Sequence, residues 1–158
     1  MDSKKALIEK KNFWHANNKL ADLGATYLSL LVFDKNNVVI NSQSSDPEWA
    51  EEFTSTGLYK ECHLLSAANE IMSLKKHSFT LAWDFHLPET QEAKALDEIR
   101  KTKDITHGIG FCITNKDQSK VMLNIAAKYS DINFGINILK NREKVYKDIL
   151  KVILNSHR

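Results

Sequence analysis

The chain has 158 residues, enough for one domain with a real core. Its 42% hydrophobic and 27% charged residues exclude wholesale disorder, and a formal charge of +2 is too small for nucleic-acid binding by the domain as a whole. Cys62 and Cys112 are the two cysteines and lack close spacing, which argues against a disulfide framework or a zinc site and fits a reducing compartment.

The N-terminus is charged and amphipathic, not an apolar signal core, and no stretch approaches the length of a membrane span. A cytoplasmic protein with no membrane partner is expected. Residues 4–23 read as a helix carrying Ala6, Leu7, Phe13, Trp14, Leu20 and Leu23, stopped by Gly24. Thr26 to Phe33 is a β-rich apolar run, turned by Asp34-Lys35-Asn36-Asn37 and returning over Val38 to Asn41, a hairpin. Ser45-Asp46-Pro47-Glu48 carries overlapping helix-start signals, with either Ser45 or Asp46 as the cap. That helix runs to about Thr54 and breaks near Gly57, and a second covers roughly Glu61 to Leu74.

Ser78 to Asp84 reads as a strand that puts Phe79, Leu81 and Trp83 on one face by period two. Pro88 and Glu89 open a further helix with Ala93, Leu96 and Ile99 at helical spacing and Lys101 near its end. Ile109 to Thr114 and Val121 to Ala127 are strands joined by the polar turn Asn115 to Ser119. A final helix from about Asp131 to Leu154 carries two apolar stripes, Ile138/Val145/Ile149/Val152 and Leu139/Tyr146/Leu150/Ile153. One sheet cannot hide both, so part of this surface is expected to meet a second copy or a related regulator. The basic lean from Lys140 to Arg158 is that of a solvated helix face.

The order α, β-β, α-α, β, α, β-β, α implies an α+β domain, an αβα sandwich around a five-stranded, mostly antiparallel sheet, as in PAS-like and GAF-like sensory folds. No linker or repeat divides the chain, so residues 1–158 read as a single domain.

Catalytic machinery is hard to assemble from this sequence. None of the six histidines forms a His-x-x-x-His pair or a Cys/His cluster, so neither a metal nor a cofactor is expected. Cys62 and His63 point about a hundred degrees apart on a helix, and core packing is the favoured reading of Cys62. Asp84 and Glu89 are accounted for by capping and dipole roles, so no enzyme is expected. His107-Gly108-Ile109-Gly110 is no dinucleotide fingerprint. Gly110 and Cys112 instead leave one strand face shallow, open to close approach by a helix or by a ligand.

Two indoles on regular elements, Trp49 and Trp83, imply a dense core or a shaped pocket with an oriented donor. The residues around them carry a resemblance: Asp46-Pro47-Glu48-Trp49 through Phe53, then Lys75-Lys76-His77-Ser78-Phe79-Thr80-Leu81-Ala82-Trp83, then Gly108-Ile109-Gly110-Phe111-Cys112-Ile113-Thr114. In order and spacing, over roughly residues 13–150, the chain resembles the autoinducer-binding domain of LuxR-type quorum-sensing transcription regulators. The resemblance implies an N-acyl homoserine lactone-like or other amphipathic signal held between sheet and helices. It would place the Trp83 indole N–H at the lactone carbonyl, Trp49 at the wall of the head group, and Phe53 where the family has a tyrosine hydroxyl. The family's aspartate, which accepts the ligand amide, falls about Cys62 or His63, neither of them acidic. His63 accepts or donates according to its tautomer. Each amide group left without its bond costs roughly 1–3 kcal/mol, so ordinary lactones are expected to bind poorly.

The expected pocket residues are Trp49, Phe53, Tyr59, His63, Phe79, Trp83, Gly110, Cys112 and Asn124. His63, Asn124 and the indoles are polar groups that an ordinary core avoids, which puts a pocket ahead of a packed interaction module of the same fold. LuxR-type regulators continue into a helix-turn-helix domain. Here one helix follows the last hairpin, so these residues alone are not expected to bind DNA specifically; they read either as an excised sensor or as a sensor-only relative.

Overall fold

Alternation along the first strand decides the architecture. In β1 (Tyr27–Phe33), Leu28 and Leu30 enter one buried cluster while Tyr27, Leu31 and Phe33 enter another, so the sheet is covered on both faces. The computed structural model describes residues 19–75 and 78–147. Within them, β1, β2 (Val39–Ser44), β3 (Phe79–Ala82), β4 (His107–Thr114) and β5 (Lys120–Ala127) form one antiparallel sheet in the order β2-β1-β5-β4-β3. The central strands β1, β5 and β4 are almost wholly buried, as a sheet between two layers requires.

One layer holds α1 (Pro47–Ser55), a 3₁₀ turn (Leu58–Glu61), α2 (His63–Lys75) and α3 (Gln91–Thr102). Trp49, Phe53, Leu64, Leu65 and Leu96 pack there against Leu31, Cys112 and Met122. The other layer holds α4 (Phe134–Lys140) and α5 (Arg142–Val145), whose Phe134, Ile138 and Val145 join Leu20, Ile109, Leu123 and Ile125. The expected αβα sandwich on a five-stranded antiparallel sheet is what forms. The expected helix over residues 4–23 is described only at its end, helical over 19–21, and Phe13 and Trp14 lie outside the described residues.

The turns follow their side chains. Asp34 Oδ1 accepts from the amides of Asn36 (2.8 Å) and Val38 (3.0 Å), while Asn37 takes φ +64°. In the second hairpin Asp117 Oδ1 accepts from Ser119 N at 2.9 Å, with Gln118 at φ +71°. At the start of α1 the two capping candidates divide their labour. Ser45 extends the β1 ladder, donating its N–H to Leu28 O and accepting Leu28 N on its hydroxyl, each at 2.9 Å. Asp46 is therefore the cap, accepting from Trp49 N at 3.1 Å.

Several boundaries differ from the sequence reading, among them β2, which runs on to Ser44 past the expected Asn41. The third strand stops at Ala82, and Trp83 opens a 3₁₀ turn closed by His86 N–H donating to Trp83 O at 3.0 Å. The helix expected from Pro88 begins instead at Gln91, capped by the Thr90 hydroxyl, which accepts from Ala93 N at 3.1 Å. The last helix breaks at Asn141, whose side-chain amide donates back to Asn137 O at 2.8 Å and competes with the backbone ladder. The rest of the expected helix, with Ile149, Leu150, Val152 and Ile153, falls outside the described residues.

Asp46→Ala removes the cap from the helix that carries Trp49 and Phe53. A loss of about 1 kcal/mol is expected, read from the urea midpoint at unchanged slope.

Candidate functional site

The sheet presents rows of aligned side chains to the layer containing α1, α2 and α3. Register places Ser44, Ser29, Asn124, Gly110 and Leu81 in one row across all five strands. Tyr27, Ala126 and Gly108 form the next row. The first row is polar at its centre, where Asn124 Nδ2 donates to Ser29 Oγ at 3.4 Å in a buried setting. Above it lies a cavity of about 40 Å³, walled by Trp49 and Phe53 of α1, Cys62 and Leu65 at the head of α2, Trp83, and Arg100 of α3. Drug-sized ligands occupy pockets of roughly 300–1,000 Å³, whereas this space is large enough for only about three water-sized groups.

Arg100 is the decisive wall residue. It is 4% exposed, and no carboxylate lies within salt-bridge distance of it among the described residues. Its guanidinium carbon lies 5.9 Å from the centroid of the Phe53 ring and 5.9 Å from that of Trp83. Nη2 donates to Cys62 Sγ at 2.7 Å, while Nη1 is buried with no partner among the described residues. Trp83 Nε1 is likewise buried and unpaired. Two donors of one cavity wall thus stand without acceptors. Among the described residues, the cavity lining contains no Asp or Glu. Tyr27, also in the lining, has its phenol pushed up by burial, against hydrogen bonds from Ser29 and Ser44 that pull it down.

Sequence reasoning passed over Arg100 in favour of its neighbour Lys101. The signal was there: Ala93, Leu96 and Arg100 are the buried residues of α3, so the arginine occupies the next position of the apolar stripe. Trp49, Phe53, Trp83 and Asn124 all line this cavity. Tyr59 stands behind, its ring 6.4 Å from that of Phe53. His63 faces a surface groove, where Nε2 donates to His86 O at 3.1 Å and burial lowers the ring's pKa. Phe79 and Cys112 line a separate hollow beside α5, and burial pushes the Cys112 thiol up to about 12.

Gly110 also plays a different part from the one expected. A Cβ there would meet Asn124 Oδ1 and Met122 Cε, each at 3.1 Å, so β5 side chains fill that space, not a helix or a ligand. The glycine that admits an aromatic ring is Gly108, where a Cβ would lie 2.5 Å from Trp83 Cδ2. Trp83 follows the Ala82–Ile109 pair, so its indole rests on the next residue of β4. The 3₁₀ turn is held from the far side. His107 donates from Nδ1 to Asp84 Oδ1 at 2.9 Å and from Nε2 to Tyr129 O at 2.8 Å. Asp84 is thus the partner of a histidine, and not the strand-end cap that its position suggested.

No protein-family model matches the chain, and no curated protein matches its sequence. Solved structures do match its fold. Escherichia coli SdiA aligns with a TM-score of 0.63 at 12% identity, covering 99% of this chain and 63% of that one. CepR2 of Burkholderia cenocepacia, an N-acylhomoserine lactone-dependent LuxR family transcription factor, aligns at 0.57 and 11% identity, covering 98% and 99%. This is the LuxR-type autoinducer-binding fold. SdiA in complex with octanoyl-rac-glycerol also aligns, at 0.53 and 12% identity, covering 94% of this chain and 63% of that one. The chain therefore spans just under two thirds of the SdiA chain that it matches. Among the described residues of this LuxR-type fold, no helix is long and apolar enough to cross a membrane, and no group of three His, Cys, Asp or Glu side chains could hold a metal ion.

Gly108→Ala drives a methyl into the Trp83 ring. A loss of about 1–3 kcal/mol is expected, with a changed near-ultraviolet dichroism that Gly57→Ala, facing open space at φ +78°, does not produce. The His107 tether supplies a pH test. Burial lowers its pKa, but the bonds to Asp84 and Tyr129 O outweigh that and raise it above the ordinary 6.5. Its stabilisation is complete below 6.5 and is lost as the pH rises through the raised value. Unfolding free energies measured across that window should fall for the wild type, and His107→Gln should remove that part of the slope.

Proposed function

We propose that the chain is the signal-sensing domain of a LuxR-type transcription regulator. A small amphipathic molecule binds between the sheet and the layer of α1 to α3, and the domain self-associates. The unpaired Trp83 Nε1 and Arg100 Nη1 in the wall of one cavity carry this reading. Buried donors without acceptors are costly in a finished core and useful in a binding site. Acyl compounds are the appropriate class, because CepR2 is described as dependent on an N-acylhomoserine lactone and SdiA as complexed with octanoyl-rac-glycerol. Ordinary lactones remain poor candidates, since Phe53 lacks a hydroxyl and the lining has, among the described residues, no carboxylate to accept an amide N–H.

Self-association is supported by the outer faces of α4 and α5 and the loop before them, where Ile132, Ile136 and Tyr146 are exposed. A second reading, an interaction module with a packed interior, is favoured by the cavity's 40 Å³. Signal binding then requires α1 or α2 to move outward.

Native mass spectrometry of the purified chain separates the two readings. A dimer carrying a small molecule that organic extraction releases, and that restores the lost thermal stability when added back, is the expected result. A chain without adduct, whose melting temperature no acyl compound raises, identifies the packed module. Ile136→Asp together with Tyr146→Asp should convert the dimer to monomer without releasing the molecule.

A further inference from the structure

We infer that the cavity selects an anionic ligand, an amphipathic molecule ending in a carboxylate, with Arg100 as the residue that recognises its charge. This rests on the sensing reading above and narrows the class of signal. A guanidinium does not shed its proton inside a protein, so Arg100 carries its charge into the core. Its surroundings offset that charge only in part. The Phe53 and Trp83 rings present polarisable faces, and Cys62 Sγ is a weak acceptor. No carboxylate reaches it among the described residues, and Nη1 has no acceptor.

A buried cation in this condition is matched by an incoming anion far better than by a neutral carbonyl. Trp83 Nε1 supplies a second unpaired donor from the same wall. The Asn124–Ser29 pair gives the floor polar atoms without negative charge. Among the described residues the lining is free of Asp and Glu, so none of them repels a carboxylate. The cavity, about 40 Å³, is of the size of such a head group and not of a whole acyl lactone.

The test uses the full chain and straight-chain carboxylates from acetate to dodecanoate, each beside the primary amide and the monoglyceride of the same length. Binding is read by tryptophan fluorescence and by the shift of the melting temperature. The expected result is a carboxylate bound at least ten times more tightly than its amide and its glyceride. Arg100→Gln should abolish that preference, while Arg100→Lys, which keeps the charge and loses the fork, retains part of it. If Arg100→Gln does not fold, the wild-type comparison of acid with amide decides alone. Neutral compounds binding as tightly as the acids, or more so, overturn the anionic assignment and leave the sensing reading intact. Failure of every compound in all three series, on protein shown to be free of adduct, overturns both.

Discussion

A buried positive charge between two aromatic rings organises one half of this molecule. Arg100 comes from the last turn of α3, Phe53 from α1 and Trp83 from the turn after β3, and their contacts hold three separate segments against one sheet face. Moving a guanidinium out of water costs several kcal/mol, and two ring faces with one sulfur return only part of that. The remaining cost is borne by the packing around it. Arg100 O helps by accepting from Lys103 N and Ile105 N, both at about 3 Å, which fixes the helix end from which the side chain reaches inward.

The sheet makes this arrangement possible by being shallow in one place. Gly108 and Ala126 stand side by side on β4 and β5 and share a face with Tyr27. A larger residue at position 108 would lift the Trp83 indole, and with it one face of the Arg100 site. The His107 bridge to Asp84 secures the same turn from the other side, so one short stretch of β4 controls the tryptophan through both sterics and charge. On the opposite face the centre of the sheet is apolar, with Phe134, Ile138 and Val145 packed on Leu28, Leu123 and Ile125, while polar His107, Thr80 and Gln43 stand towards its margins. The buried Asn124–Ser29 pair and the unpaired Trp83 and Arg100 donors belong instead to the cavity side.

Much of this was legible before folding, for reasons that differ by element. The strands and hairpins were readable because alternation and turn residues are local signals, and Asp34, Asn37, Asp117 and Gln118 act within their own turns. Trp49, Phe53 and Trp83 were singled out from period and from resemblance, and Asn124 as a polar group in an apolar strand. The third strand was read too long because its end is set by Gly108 on a partner strand, which no window on residues 78–84 contains.

Sequence by itself determined the class of fold, the two hairpins and the burial of Trp49 and Trp83, because these depend on periodicity and short-range chemistry. Tertiary structure alone decided which side chains meet. It sent His63 to a surface groove, Phe79 and Cys112 to a second hollow, and brought Arg100 between Phe53 and Trp83 from 47 and 17 residues away along the chain. An arginine on an apolar stripe is ambiguous until the opposing wall is known, since only the neighbours across the gap determine whether its charge is matched.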